Sequence, residues 1–366
     1  MSSNTPTWQL IRHNPELKAR YLVREQVLDG IRAFFKQRGF AEAETPSLAR
    51  CPGTEPFLEV FSTTLKAHGL KDQPAYLLTS PEFALKKLVA AGFGSVFEIC
   101  KSFRNNEGVS GRHNPEFTIL EWYHSPGDYL DVMRDFEALM MSLLERMRSW
   151  SDSNTPAMSK LYGEHTLSYQ GKTFNLQAPY PRLSVAEAFQ TFVGVNTDEL
   201  LDHQSLLKVA QEKGYQVTAE TTWEEAYDQL MLNVIEPALA RFDQPVFLYD
   251  YPASQAALSK RKTSDPRFAE RFEVYLGGLE LGNAFSELTD AAEQEARFRE
   301  ELALRAKLGK TKYDLDEDYL AALRAGLPPT GGIAVGVDRL VMLFANASSI
   351  EETLFFPASE LFITEN

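Results

Sequence analysis

Between residues 15 and 39 apolar side chains return every three or four positions, at Val27, Leu28, Ile31, Phe34 and Phe35. That spacing predicts a helix. Asn14 supplies its cap, Pro15 its first turn, and Gly39 its end. Runs of strand-forming residues follow at 40–44, 57–63, 75–79, 95–104 and 116–123. Between the third and fourth lies SPEFALKKLVAAG, a helix with Ser80 as cap and Pro81 in its first turn. A longer amphipathic helix is predicted over 128–149, burying Tyr129, Val132, Met133, Phe136, Met140, Leu143, Leu144 and Met147.

The pattern changes at 150–181, where WSDSNTPAMSK reads as loop and TLSYQGKTFNLQ as a hairpin around Gln170-Gly171. This stretch is expected to be a surface insertion. Ser184 with Glu187, and Thr222 with Glu225, form two capping boxes that start later helices. Strands resume at PVFLYDYP, FEVYLGGLEL and GGIAVGV. Polar hairpins with Gly-Gly turns predict an α+β fold, a largely antiparallel sheet flanked by helices. No internal repeat, GxGxxG or GxxxxGK[ST] occurs, so neither a dinucleotide fingerprint nor a P-loop is supported.

Composition narrows this picture. With 366 residues, 44% of them hydrophobic, the chain can bury a sizeable core as one large domain. The formal net charge of −14 gives no general attraction for nucleic acid or an anionic membrane. Cys51 and Cys100 form no CxxC motif and are read as small apolar residues of a protein in a reducing compartment, the cytoplasm. The N-terminus lacks the apolar centre of a signal peptide, and no apolar run of about 18 residues is present, so no membrane association is expected.

Three segments carry candidate chemistry. The first is FRNNEGVSGRHNPEFTILEWY (103–123), read as strand, polar loop and strand. Alternation puts Phe117, Ile119, Glu121 and Tyr123 on one face, where an acid and a phenol beside a ring could hold an ammonium group and a flat base. An ordinary half-buried strand would read the same way. The second is RFEVYLGGLELGNAFSEL. A two-residue turn at Gly277-Gly278 sets Tyr275 opposite Glu280 and Glu273 opposite Gly282. Glu273 and Glu280 then lie diagonally on one face, roughly 7–8 Å apart at the backbone, and could meet on one Mg²⁺. Asn283, Phe285 and Glu287 join that face only across a bulge, expected at Gly282. The third is GGIAVGVDRLVML, whose Arg339 offers a fork for phosphate or a face for a base, though a salt bridge at a helix start would explain Asp338-Arg339 equally well.

Together the segments resemble class II aminoacyl-tRNA synthetases. GFAEAETP (39–46) resembles their motif 1, the 103–123 segment motif 2, and GIAVGVDRLVML motif 3. The wording is most similar to lysyl-tRNA synthetase, through RHNPEFT, FEVYLGGLELGNAFSELTDA and DRLVML. Only about a dozen residues precede the first helix, so the anticodon-reading domain of such a synthetase is expected to be absent and 1–366 to be a single catalytic domain. CPGTEPFLEVF stands where the synthetase has a glycine–alanine–arginine stretch, Ser254-Gln255 replaces other residues, and Ala334 stands for a motif 3 glycine. These departures resemble the elongation factor P–lysine ligase family, which activates (R)-β-lysine, or lysine less well, and transfers it to a lysine of elongation factor P.

That resemblance implies roles. Arg104 would grip the α-phosphate of ATP and the substrate carboxylate, and Arg339 the γ-phosphate. Glu280, helped by Glu273, would hold Mg²⁺. Asn106 or Glu107 would read adenine, because Glu107 stands one place later than usual. His113, Asn114 and Phe117 would contact ATP, with backbone contacts from Leu281 and Gly336. Ser80, Pro81, Glu82, Glu121, Tyr123, Asn283, Phe285 and Glu287 would line the amino acid pocket. Ala334 would narrow it by one methyl group, a change that typically alters selectivity by ~1–3 kcal/mol. The implied partner is elongation factor P, the implied assembly a homodimer, and tRNA binding is not expected. A free-standing lysyl-tRNA synthetase core and a non-catalytic regulatory relative are the competing readings.

Overall fold

The computed structural model describes residues 5–69, 71–107, 111–218 and 220–362; residues 108–110, in the polar loop of the motif 2-like segment, lie outside them. The helix Pro15–Gln37 forms as its spacing predicts. The Asn14 side chain accepts from the backbone N–H of Glu16 at 3.0 Å and of Leu17 at 3.1 Å. Its buried stripe of Val23, Val27, Ile31, Phe34 and Phe35 packs on the second long helix, Tyr129–Asn154. Gly30 marks the closest approach: a Cβ there would lie 2.7 Å from Leu143 Cδ2. The second helix begins with a capping box between Asp128 and Asp131 and runs five residues past its predicted end.

These helices cover one face of an eight-stranded sheet. Its strand order is Ala41–Glu42, Val96–Phe103, Glu116–His124, Gly331–Gly336, Leu279–Ser286, Phe268–Leu276, Val246–Pro252 and Arg182–Ser184. The six central strands pair antiparallel, and only the two short edge strands are parallel. Strong alternation sorts the two faces. Phe97, Leu120, Trp122, Phe272, Val274 and Val335 point into the helix-covered core, where Phe35 stacks on Phe97 with ring centroids 5.0 Å apart. The opposite face carries the charged residues.

Two expectations need correction. The strand expected over 57–63 appears at Ser62–Leu65 instead. The buried Arg305 guanidinium donates to the Glu55 and Leu58 carbonyls at 2.6 and 2.7 Å, tying the start of this stretch to a helix, while the Glu59 and Phe61 carbonyls accept from the Asn105 and Leu77 N–H groups at 2.9 and 3.0 Å. The 150–181 stretch is not mere surface decoration. Its hairpin forms around Gln170-Gly171, but Tyr162, Leu167, Tyr169, Phe174, Leu176 and Tyr180 are buried in the main core. Both later capping boxes are present. Among the described residues no helix is long and apolar enough to cross a membrane.

Candidate active site

The free face of the sheet carries two rows of side chains. Pairing puts Glu121 beside Ala334, Ala334 beside Asn283, and Asn283 beside Glu273. One step along, Tyr123 meets Gly332, Gly332 meets Phe285, and Phe285 meets Arg271. The rows align because of a bulge. Tyr275 faces Glu280 as the turn predicts, but Val274 faces Gly282, so Glu273 meets Asn283 rather than Gly282. The extra residue is Leu281, one place before the expected position; it turns into the core and brings Asn283, Phe285 and Glu287 to the face of Glu280. Gly282 itself passes close to the next strand, since a Cβ there would lie 2.9 Å from the Ala334 carbonyl oxygen.

A cavity of about 440 Å³ lies on these rows. Its walls include most of the residues singled out in the sequence: Ser80, Glu82, Arg104, Glu107, His113, Asn114, Phe117, Glu121, Tyr123, Glu273, Glu280, Leu281, Asn283, Phe285, Glu287, Ala334, Gly336 and Arg339. Two do not reach it. Asn106 stands exposed in a left-handed conformation (φ 58°), so the extra loop residue turns Glu107, and not Asn106, toward the cavity. Pro81 lines the adjoining cavity of about 870 Å³, which shares Thr54, Glu55, Ser80, Glu82 and Leu258 with the first.

One end of the cavity is cationic. Arg104 lies 3.4 Å from Glu107 and 5.2 Å above the Phe117 ring, and among the described residues its buried Nε has no hydrogen-bond partner. Such an orphaned donor is costly unless an acceptor meets it, and phosphate oxygens are suitable acceptors. Arg339 donates to the Glu280 carbonyl at 2.6 Å and lies 3.5 Å from His113 Nε2. Burial, then the Arg339 charge, keeps His113 below the usual imidazole range. The helix-start salt bridge weighed for Asp338 is present but involves another arginine. Asp338 pairs with Arg24 and accepts from the Thr118 N–H at 2.7 Å, leaving Arg339 to the cavity. Asn114 lines the wall with its amide already occupied: it donates to the Glu116 carbonyl at 2.6 Å and accepts from the Ala358 N–H at 2.9 Å.

For a divalent cation the carboxylates differ. Glu273 accepts from Arg271 at 2.6 Å and from the Tyr275 hydroxyl at 2.5 Å, so both of its oxygens are engaged. Glu280 is 42% exposed and, among the described residues, makes a 3.6 Å contact to Arg339. Among the described residues no group of three or more His, Cys, Asp or Glu side chains is arranged to hold a metal. Glu280 alone fits Mg²⁺, which binds through one or two carboxylates, phosphate oxygens and water.

The other end is acidic. Ser80 Oγ donates to Glu121 at 2.6 Å and accepts from the Glu82 N–H at 3.1 Å, but the helix runs Glu82–Ala90 with Pro81 at its N-cap, so Ser80 stands one place before the cap rather than at it. The Tyr123 hydroxyl donates to the other Glu121 oxygen at 3.1 Å. Burial and then the Glu82 charge push Glu121 up to about 8. Burial likewise pushes Glu287 up to about 8 against the pull of Lys86. In both, the loss of water on burial disfavours the charged form more than the Lys86 charge favours it.

Sequence reasoning passed over Arg271, which braces Glu273 and Asn283 and faces the Tyr251 ring at 4.4 Å, although its parity with Glu273 marked it. It also passed over Lys86, four residues after Glu82 on one helix. No sequence signal places Glu301 against Thr54. Cys51 and Cys100 are free and half-buried, and burial raises both thiols.

A helix-backed antiparallel sheet carrying an arginine-lined end and a carboxylate-lined end defines a small-molecule site with room for an anion and a cation together. The chain belongs to the family of class II tRNA synthetases (D, K and N), whose family model matches residues 6–360. It is 38% identical over 349 residues to the lysine–tRNA ligase of Dehalococcoides mccartyi, covering 94% of this chain and 65% of that relative. The lysine–tRNA ligases of Chloroflexus aurantiacus and Magnetococcus marinus are each 37% identical, with 94% of this chain covered and 66% and 64% of theirs. The chain thus spans about two thirds of the length of these relatives.

Proposed function

We propose that the chain is an ATP-dependent ligase that adenylates (R)-β-lysine or lysine and transfers it to a lysine side chain of elongation factor P. The observation that carries the first half is the acidic end of the cavity, where buried Glu121 and Glu287 are held toward protonation until ammonium groups arrive. The lysine–tRNA ligase relatives support the same substrate class.

In the first step a substrate carboxylate oxygen attacks the α-phosphorus of ATP. A carboxyl–phosphate bond forms, the α–β phosphoanhydride breaks, and pyrophosphate leaves. Arg104 neutralises the charge that builds on the α-phosphate, and Arg339 holds the far end of the triphosphate. Glu280 would hold Mg²⁺, which supplies charge neutralisation to the phosphates when bound. In the second step a neutral amine attacks the mixed anhydride, an amide forms and AMP departs. No enzyme nucleophile is needed, so positioning and charge carry the rate.

Transfer to a protein rather than to tRNA rests on the departures at 51–61 and at Ala334. The competing reading, a lysyl-tRNA synthetase core, is favoured by the names of the relatives. Transfer assays from preformed adenylate separate them. The proposal expects amide formation on elongation factor P and none on tRNA; charging of tRNA with no modified elongation factor P would overturn it.

A further inference from the structure

Lys86 is a cation set against the carboxylates of the acidic end that the proposed recognition does not use. Helical spacing puts it on the same face as Glu82, and its side chain is 1% exposed. Its ammonium pairs with Glu82 and lies 2.5 Å from Glu287 Oε2. The second contact joins two opposite charges on two separate elements. The Tyr123 ring centroid is 5.9 Å from the ammonium, and the buried Tyr319 closes the remaining side. Burial alone would lower a lysine. Here Glu287 and Glu82 outweigh it and hold Lys86 well above its usual range.

Resting on the reading of the pocket as a diamino acid site, we propose that Lys86 is a built-in counter-ion that positions Glu82 and Glu287 and sets the pocket to accept two substrate ammonium groups. In their ionised forms Glu82, Glu121 and Glu287 bring three negative charges against the one positive charge of Lys86, and substrate ammonium groups that displace the protons of Glu121 and Glu287 would match the other two. Glu55 and Glu301 also line the cavity and are raised as well, by burial first and then by neighbouring carboxylates, and the Thr54 hydroxyl donates to Glu301. Glu287 packs over Gly332. Its other oxygen and the Tyr123 ring both sit where a Gly332 side chain would be. Lys86 touches carboxylates rather than substrate, so it is a positioning residue.

The test is amino acid-dependent pyrophosphate exchange across pH, with lysine and (R)-β-lysine, for the unmodified protein and for Lys86→Met and Lys86→Arg. The lysine charge lowers both Glu121 and Glu287. Removing it raises both, so the acid limb of kcat/KM for the diamino acid moves to higher pH. The methionine variant is expected to raise KM for the diamino acid at least about tenfold, with KM for ATP unchanged, and arginine to return the limb toward its original position. If Lys86→Met fails to fold, Lys86→Gln keeps a donor without the charge and is read for the same limb. An unmoved limb, or an ATP KM that rises in parallel, overturns the proposal. No exchange in the unmodified protein overturns the pocket reading itself, and this proposal with it.

Discussion

Glu121 and Glu287 are buried side chains at the acidic end of the cavity. Burial raises both carboxyls to about 8, Glu287 against the pull of Lys86, and both release their protons more readily as pH climbs toward that value. A raised carboxyl stabilises the folded state at acid pH, and that contribution is lost as pH climbs from its unfolded value through about 8. An incoming diamino acid must displace those protons. KM for lysine or (R)-β-lysine, measured by exchange at saturating ATP, is expected to fall as pH rises from 6 to 8; a flat profile would contradict the assignment. At the other end, Arg104→Ala removes the charge facing the α-phosphate. A loss of about a hundredfold or more in exchange is expected, with an unchanged far-ultraviolet circular dichroism spectrum. Wild-type exchange in that variant would remove Arg104 from the mechanism.

At the scale of elements, the site depends on glycines that let strands meet. A Cβ on Gly332 would fall 2.5 Å from Tyr123 Cε1 and into the Glu287 carboxylate. Gly332→Ala is expected to abolish diamino acid binding while ATP binding, followed by calorimetry, persists. Loss of both would mean the strand itself had shifted. The helices and central strands were legible because their apolar periods are long and regular, as at Val27 to Phe35 and Tyr129 to Met147. The hairpin bulge was legible in kind but not in place, since parity demanded an extra residue without saying that Leu281 would turn inward. The start of the 57–63 stretch was misread because Arg305, some 250 positions away in sequence, takes the Glu55 and Leu58 carbonyls. Lys86 and Arg271 were legible by spacing, yet their importance appears only when Glu287 and Asn283 close in from another strand.

For the whole molecule, one sheet separates stability from chemistry. Phe35 belongs to the helix-covered side, packed against Phe34, Phe40, Phe97 and Trp122. Phe35→Ala is expected to cost about 3–5 kcal/mol in denaturant unfolding while exchange per folded molecule is unchanged at low temperature. A drop in exchange without a drop in stability would contradict that division. The exposed Phe355, Phe356 and Phe362 line an apolar cleft of about 560 Å³ at the C-terminal end. With the homodimer implied by the resemblance, light scattering is expected to give twice the 41.3 kDa of one chain; a monomer at micromolar concentration would contradict that assembly.

The most direct measurement compares exchange driven by lysine, by (R)-β-lysine and by norleucine, which matches lysine in its chain but lacks the distal ammonium. Exchange with at least one diamino acid, and about a hundredfold less with norleucine, is the predicted result. Equal rates with norleucine, or none with either diamino acid, would contradict a pocket built to be neutralised by two cations.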